Sequence, residues 1–148
     1  MSNREEGANL LTQAQADRLI DLSKEAERTD PLVWIADRQT DEFLIAVNEK
    51  GLRFVLSLKR NPFEIRLHCR TRDRDIGLVR VDNSPYHPNP DGSEIRDRPH
   101  LHRYREGYGL EWADTVDWYN VNDPFGTLAR FLEVINGRFP HGIQMELI

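Results

Sequence analysis

The stretch "LRFVLSLKRNPFEIRLHCR", residues 52–70, limits what this chain can fold into more than any other. Leu52, Phe54, Leu56 and Leu58 alternate with Arg53, Val55, Ser57 and Lys59. Beyond Pro62, Phe63, Ile65, Leu67 and Cys69 alternate with Glu64, Arg66, His68 and Arg70. Successive side chains of a strand point to opposite faces, so each run has an apolar and a polar side. Lys59-Arg-Asn-Pro62 lies between the runs and has turn chemistry. Two such runs with a short connection predict an antiparallel hairpin, one face on a core and the other in water.

The neighbouring segments extend this pattern. "LVWIAD" and "EFLIAVN", parted by Arg38-Gln-Thr-Asp41, read as strands, and Asn48-Glu-Lys-Gly51 as a turn. "IGLVRVD" (76–82) continues the meander, residues 98–106 return to a strand, and "GIQMELI" closes the chain. Two helices flank the strands. Thr12 and Gln15 form a capping box before a helix expected over Gln13–Arg28, with Leu19, Leu22 and Ala26 on its face and Asp30-Pro31 ending it. Asp123-Pro124 opens a second helix whose face is Phe125, Leu128, Ala129, Leu132 and Ile135, and Asn136-Gly137 stops it. The expected fold class is α+β: an antiparallel sheet of five to seven strands with an N-terminal and a C-terminal helix packed on it.

At 148 residues the chain reads as one α+β domain, 1–148, with 1–11 flexible and 83–97 a long loop. That loop, "NSPYHPNPDGSEIRD", holds an Asn-Pro-Asp-Gly turn, in which Asp91 and, beyond it, Asp97 read as turn residues. No long apolar stretch points to a membrane, and "MSNREEGANLL" lacks the pattern of a signal peptide. The single cysteine, Cys69, reads as a small core hydrophobe and suits a reducing, cytoplasmic setting. Net charge is −5, against a chain coated in nucleic acid, but its distribution is uneven. Residues 51–110 carry 12 Lys/Arg against 8 Asp/Glu, whereas both flanks are acidic. Four of the five histidines lie in this basic block, which suggests a local anion site.

The candidate site centres on "RPHLHRYREGYG", residues 98–109. On a strand, His100, His102, Tyr104 and Glu106 share one side, and Leu101, Arg103 and Arg105 the other. Neither side is plainly apolar, so this is either an edge strand or a strand whose His/Tyr face lines a cleft. RNA cleavage requires a base, an acid and cationic ligands for phosphate. Histidine suits the first two, glutamate is an alternative base, and arginine is a natural phosphate clamp. The catalytic candidates are therefore His100, His102, Tyr104 and Glu106. Candidates for binding nucleic acid or another anion are Arg66, His68 and Arg70 on the hairpin, Arg103, Arg105, and His87 from the loop. Arg103 and Arg105 point away from the histidines if the strand is regular, and only a bulge or a bend at Gly107 would reunite them. Trp112, Trp118 and Tyr119 read either as a binding patch or, the reading preferred here, as packing under the last helix.

His100-x-His102 followed at the right spacing by Glu106 also matches the first half of the cupin metal motif. His141 sits at the wrong spacing to complete it, although His87 could do so from the loop. The sequence assigns neither a metal ligand nor any cofactor.

"HPNPDGSEI", "PHLHRYREGYG" and Trp112-Ala113 together resemble a family of small bacterial and phage proteins, an uncharacterised domain. The similarity centres on residues 80–113, with a weaker match in "LTQAQADRLI". No activity comes with the resemblance. It implies a mobile-element or host-defence setting, where small toxins, antitoxins and inhibitors occur. The leading expectation is a cytoplasmic, nucleic-acid-directed protein, a metal-independent endoribonuclease of toxin type. Its alternative is a non-catalytic inhibitor, antitoxin or anti-defence protein that blocks a macromolecular partner, its acidic termini imitating phosphate. A cupin-like metal-binding protein is the third option. The expected partners are RNA, a nucleic-acid-binding complex or another protein, with a homodimer as the ordinary expectation for a small sheet protein.

Overall fold

A computed structural model describes residues 10–146. The expected hairpin forms its centre: β4 (Arg53–Asn61) pairs antiparallel with β5 (Glu64–Thr71). Before it, β1 (Lys24–Ala26), β2 (Leu32–Ile35) and β3 (Thr40–Ala46) follow helix α1 (Gln13–Asp21). After it come β6 (Gly77–Asp82), β7 (Tyr86–Pro88), β8 (Glu94–Arg96), β9 (His100–Arg103) and β10 (Ala113–Thr115). Helix α2 (Pro124–Ile135), β11 (Gly137–Arg138) and β12 (Ile143–Glu146) complete the described chain. The main sheet has eight strands in the order β10-β9-β6-β5-β4-β3-β1-β11. It is antiparallel throughout except where β11 joins β1 in parallel. β12 pairs parallel with β2 in a small second sheet, and β7 and β8 form a separate hairpin.

The α+β class and the two terminal helices agree with the sequence reading, but the strand count exceeds the five to seven expected. The extra strands β1, β10 and β11 span two or three residues each, too short to display an alternating pattern. The segment 83–97, expected as a long loop, is instead a hairpin: its Asn-Pro-Asp-Gly turn closes β7 on β8. There Asp91 accepts from the Ser93 backbone at 2.9 Å, and Gly92 takes φ +90. Of the N-terminal segment expected to be flexible, residues 1–9 lie outside the described residues. Leu11 is instead tied down, since Tyr104 Oη donates to its carbonyl at 2.7 Å.

The first helix is also shorter than the predicted Gln13–Arg28. Its capping box forms as expected, but Leu22 turns to extended backbone (φ −58, ψ 135). The chain then becomes β1, because the edge of β3 can take up the hydrogen bonds of Lys24 to Ala26. Ala16 and Ile20 are the buried residues of α1, rather than Leu19 and Leu22. In α2 the Asp123 cap, Pro124 and left-handed Asn136 stand where predicted. Its buried face is Thr127, Leu128, Phe131, Leu132 and Ile135; Phe125 and Ala129 face outward.

The core fills one side of the main sheet. Leu44, Phe54, Leu56, Leu58, Ile65, Leu67, Cys69, Val79 and Val81 meet α2 and the buried Trp34 of β2. Trp118 and Tyr119 pack against this core, as preferred, while Trp112 lies outside it beneath Arg105. Phe63 departs from the predicted alternation, being 84% exposed at the β4–β5 turn.

Candidate functional site

The opposite side of the sheet is polar, and cross-strand register sets its chemistry. Ser57 of β4 pairs with His68 of β5, His68 with Arg80 of β6, and Arg80 with His102 of β9. One step along, Asp82 pairs with His100. The hairpin residues Arg66, His68 and Arg70 therefore do share the histidines' face, with Arg80 and Asp82 between them. Arg80 and Asp82 escaped the sequence reading. Their signal was present, since they alternate with the apolar Val79 and Val81 in "GLVRVD".

The histidines of β9 are covered, while Tyr104 borders the cleft that runs beside them. Hairpin β7–β8 and the chain after Tyr104 cover the histidines, and His100, His102 and Tyr104 are 0%, 1% and 1% exposed. His87 reaches in from β7, its ring centroid 5.4 Å from that of His100 and 4.7 Å from that of His102. The latter two rings lie 5.0 Å apart. The cluster is anchored to backbone oxygens. His100 Nδ1 donates to Arg98 O at 2.9 Å, His102 Nδ1 to Leu110 O at 2.8 Å, and His87 Nε2 to Glu111 O at 2.7 Å. The His102 bond fastens the chain at Leu110 to β9, and the His87 bond fastens the chain at Glu111 to β7.

Asp82 lies beneath the cluster, its Oδ1 3.2 Å from His100 Nε2 and its Oδ2 3.5 Å from His102 Nε2. Burial opposes its charge, but contacts with His102, the Ser84 backbone N–H and His100 hold the carboxyl well below the usual carboxylate range. Arg80 Nε donates to Asp82 Oδ2 at 3.2 Å, and its Nη2 lies 3.3 Å from His102 Nε2. Burial lowers the His102 pKa, against the opposing contact with Asp82. His68, at the edge of this network, is lowered to about 4 by burial and by Arg80, Arg70 and Arg66. Its buried Nε2 finds no hydrogen-bond partner among the described residues.

The remaining candidates disperse. Tyr104 and Glu106 fasten the start of α1: Tyr104 bonds to Leu11, and Glu106 Oε1 accepts from Gln13 N at 2.7 Å. Gln13 Oε1 returns a bond from Glu106 N at 2.9 Å. Arg103 faces Asp17 of α1 at 3.7 Å, and Arg105 lies 4.3 Å over the Trp112 ring. The turn at Gly107 (φ +86) therefore leaves Arg105 off the histidine face. Arg70 is held at 2.6 Å by Asp75 and at 2.6 Å by Ser57 Oγ, whereas Arg66 is exposed. His141 is exposed in the turn before β12. A cleft of about 420 Å³ runs beside the network, lined by His68, Arg80, Tyr108 and Leu110 among others.

Fold and site together define a class: an α+β domain whose sheet carries an apolar core on one face and a closed histidine–aspartate–arginine network on the other. The chain belongs to DUF6978, a family of unknown function whose model matches residues 11–136. No curated protein and no solved structure matches it. No helix among the described residues is long and apolar enough to cross a membrane.

Proposed function

We propose that this chain is a non-catalytic binding domain whose histidine motif is structural, pinning the chain around β9 rather than doing chemistry. The closure of His100 and His102 is the observation that supports this reading best. A general acid or base must come within hydrogen-bond reach of its substrate. Here both side chains are buried and their Nδ1 atoms bond to loop backbone. The polar face is also balanced in charge, with Asp41 and Asp75 flanking Arg70 and Asp82 bound to Arg80. That suits a protein partner better than an RNA backbone.

The surface favoured for the partner is the turn of the β4–β5 hairpin. Asn61 Oδ1 accepts from the backbone N–H groups of Phe63 at 2.8 Å and Glu64 at 3.0 Å, and Asn83 Nδ2 donates to Phe63 O at 3.0 Å. The turn is thus held while the Phe63 ring projects into solvent. An ordered, exposed aromatic has the properties of an interface anchor. The partner would be a protein with an apolar pocket, in the mobile-element or defence setting that the motif resemblance implies.

The ribonuclease reading keeps one favourable observation, the sharing of a sheet face by Arg66, His68, Arg70 and the histidines. An RNA-cleavage assay separates the two. Neither wild type nor a folded His102→Asn variant is expected to cleave single-stranded RNA. Cleavage by wild type that disappears in that variant would overturn the binding-domain reading. In pull-downs from the natural host, a partner retained by wild type is expected to be lost with Phe63→Ser.

A further inference from the structure

We infer that His87, His100, His102 and Asp82 form a binding site for a divalent first-row transition metal of the zinc class. One nitrogen from each of the three histidines lies within 4.8 Å of the others. Imidazoles with a single carboxylate suit zinc, cobalt or nickel rather than magnesium or calcium. Metal-binding histidines characteristically give their second ring N–H to a backbone carbonyl or carboxylate, which fixes the tautomer and aims the bare nitrogen. His100 and His102 are arranged in this way, with Nδ1 on Arg98 O and Leu110 O and Nε2 turned to Asp82. Asp82 would bind through one oxygen. The His100 Nε2–Oδ1 separation of 3.2 Å is close to the edge of a zinc-centred tetrahedron, about 3.3 Å for bonds of about 2.0–2.1 Å. His102 Nε2 now faces the other oxygen, Oδ2, at 3.5 Å. His87 Nε2 is spent on Glu111 O, so its bare nitrogen is Nδ1.

Arg80 is the internal competitor. Its guanidinium already neutralises Asp82 and reaches His102 Nε2. Its side chain is about a quarter exposed (26%) and borders the 420 Å³ cleft, which gives it room to swing outward. A metal would take over the positive charge that Arg80 now supplies. The three histidine nitrogens, up to 4.8 Å apart, would close toward the tetrahedral edge of about 3.3 Å. The metal would therefore clamp hairpin β7–β8 to the main sheet. This inference shares with the proposed function the premise that the motif is structural, but it fails separately: RNA cleavage refutes that reading, and lack of metal binding refutes this one.

The test uses the full-length protein, freed of metal by chelation and then titrated with Co²⁺ and Zn²⁺. Wild type should develop the visible absorption of four-coordinate Co²⁺, lose it on adding Zn²⁺, and melt at a higher temperature with Zn²⁺. His87→Ala changes a half-buried hairpin residue and should weaken Zn²⁺ binding by at least about tenfold. Arg80→Met should tighten it, and His141→Ala, on the exposed turn, should leave it unchanged. Folded wild type with no Co²⁺ spectrum and no Zn²⁺-dependent melting shift would overturn the site. So would an affinity indifferent to His87→Ala or abolished by His141→Ala.

Discussion

Replacing Lys24 by methionine tests how the two helices are tied to the sheet. Lys24 is fully buried, and its Nζ donates to Ile20 O at 2.8 Å, Leu22 O at 2.8 Å and Ile135 O at 2.7 Å. One ammonium thus serves the C-terminal ends of both α1 and α2, where the helix dipoles favour a cation. The last turn of α2 has no basic residue of its own. Two effects oppose each other in Lys24→Met. Burial lowers the ammonium from 10.5 to about 8, and removing it relieves about 3 kcal/mol of that penalty. Three carbonyls lose a charged donor, each bond contributing about 1.5–3 kcal/mol, or about 4.5–9 kcal/mol together. The lost bonds prevail, and the variant should be less stable by about 2–6 kcal/mol in urea unfolding at pH 7 followed by circular dichroism. Stability equal to wild type within about 1 kcal/mol, or greater, would refute the reasoning. The pH dependence has a definite sign. The folded pKa lies below the unfolded one, so between about 8 and 10.5 the unfolded chain binds more protons and this group's contribution to stability rises with pH. The gap between wild type and Lys24→Met should widen across that window by up to about 3 kcal/mol.

Burial pushes the Cys69 thiol up to about 11, so the native protein should resist a disulfide reagent at pH 8 and react with one equivalent once unfolded. Rapid reaction of the folded protein would contradict its place in the core. Tyr119 Oη accepts from Ile65 N at 2.6 Å and donates to Ile65 O at 2.7 Å, so Tyr119→Phe should cost about 1–3 kcal/mol in thermal or urea unfolding. The same variant should lose the tyrosine ionisation that burial pushes up to about 12, read by ultraviolet absorbance in an alkaline titration. Thr12→Ala removes the acceptor for Gln15 N at 3.1 Å and should lower stability by about 1 kcal/mol.

What could be read in the sequence alone was what depends on residues close together along the chain. Alternation at i and i+2 marked β4 and β5 and assigned their side chains to two faces. Thr12 with Gln15, Asp123 with Pro124, and Asn136 with Gly137 placed three helix boundaries, since a cap needs only its own few residues. The histidine motif stood out for the same reason, and its own alternation separated Arg103 and Arg105 from His100 and His102.

What only the tertiary structure decided was which face is covered, and by what. The string "RVD" marked Arg80 and Asp82 as polar, but only the register of β6 against β9 sets them beside His102 and His100. Burial of the histidines depends on hairpin β7–β8 and the chain after Tyr104, which arrive from elsewhere in the sequence. Lys24 was hidden in a helical pattern because its partners at Ile135 and across β3 lie far along the chain. Tyr104 and Glu106 share a strand pattern with the histidines, yet Leu11 and Gln13, more than ninety positions away, decide what they bind. Periodicity is a property of the local backbone. Burial and hydrogen-bond partnership belong to the packed whole, and they alone decided that the histidines of this strand are covered and joined to Asp82 and Arg80.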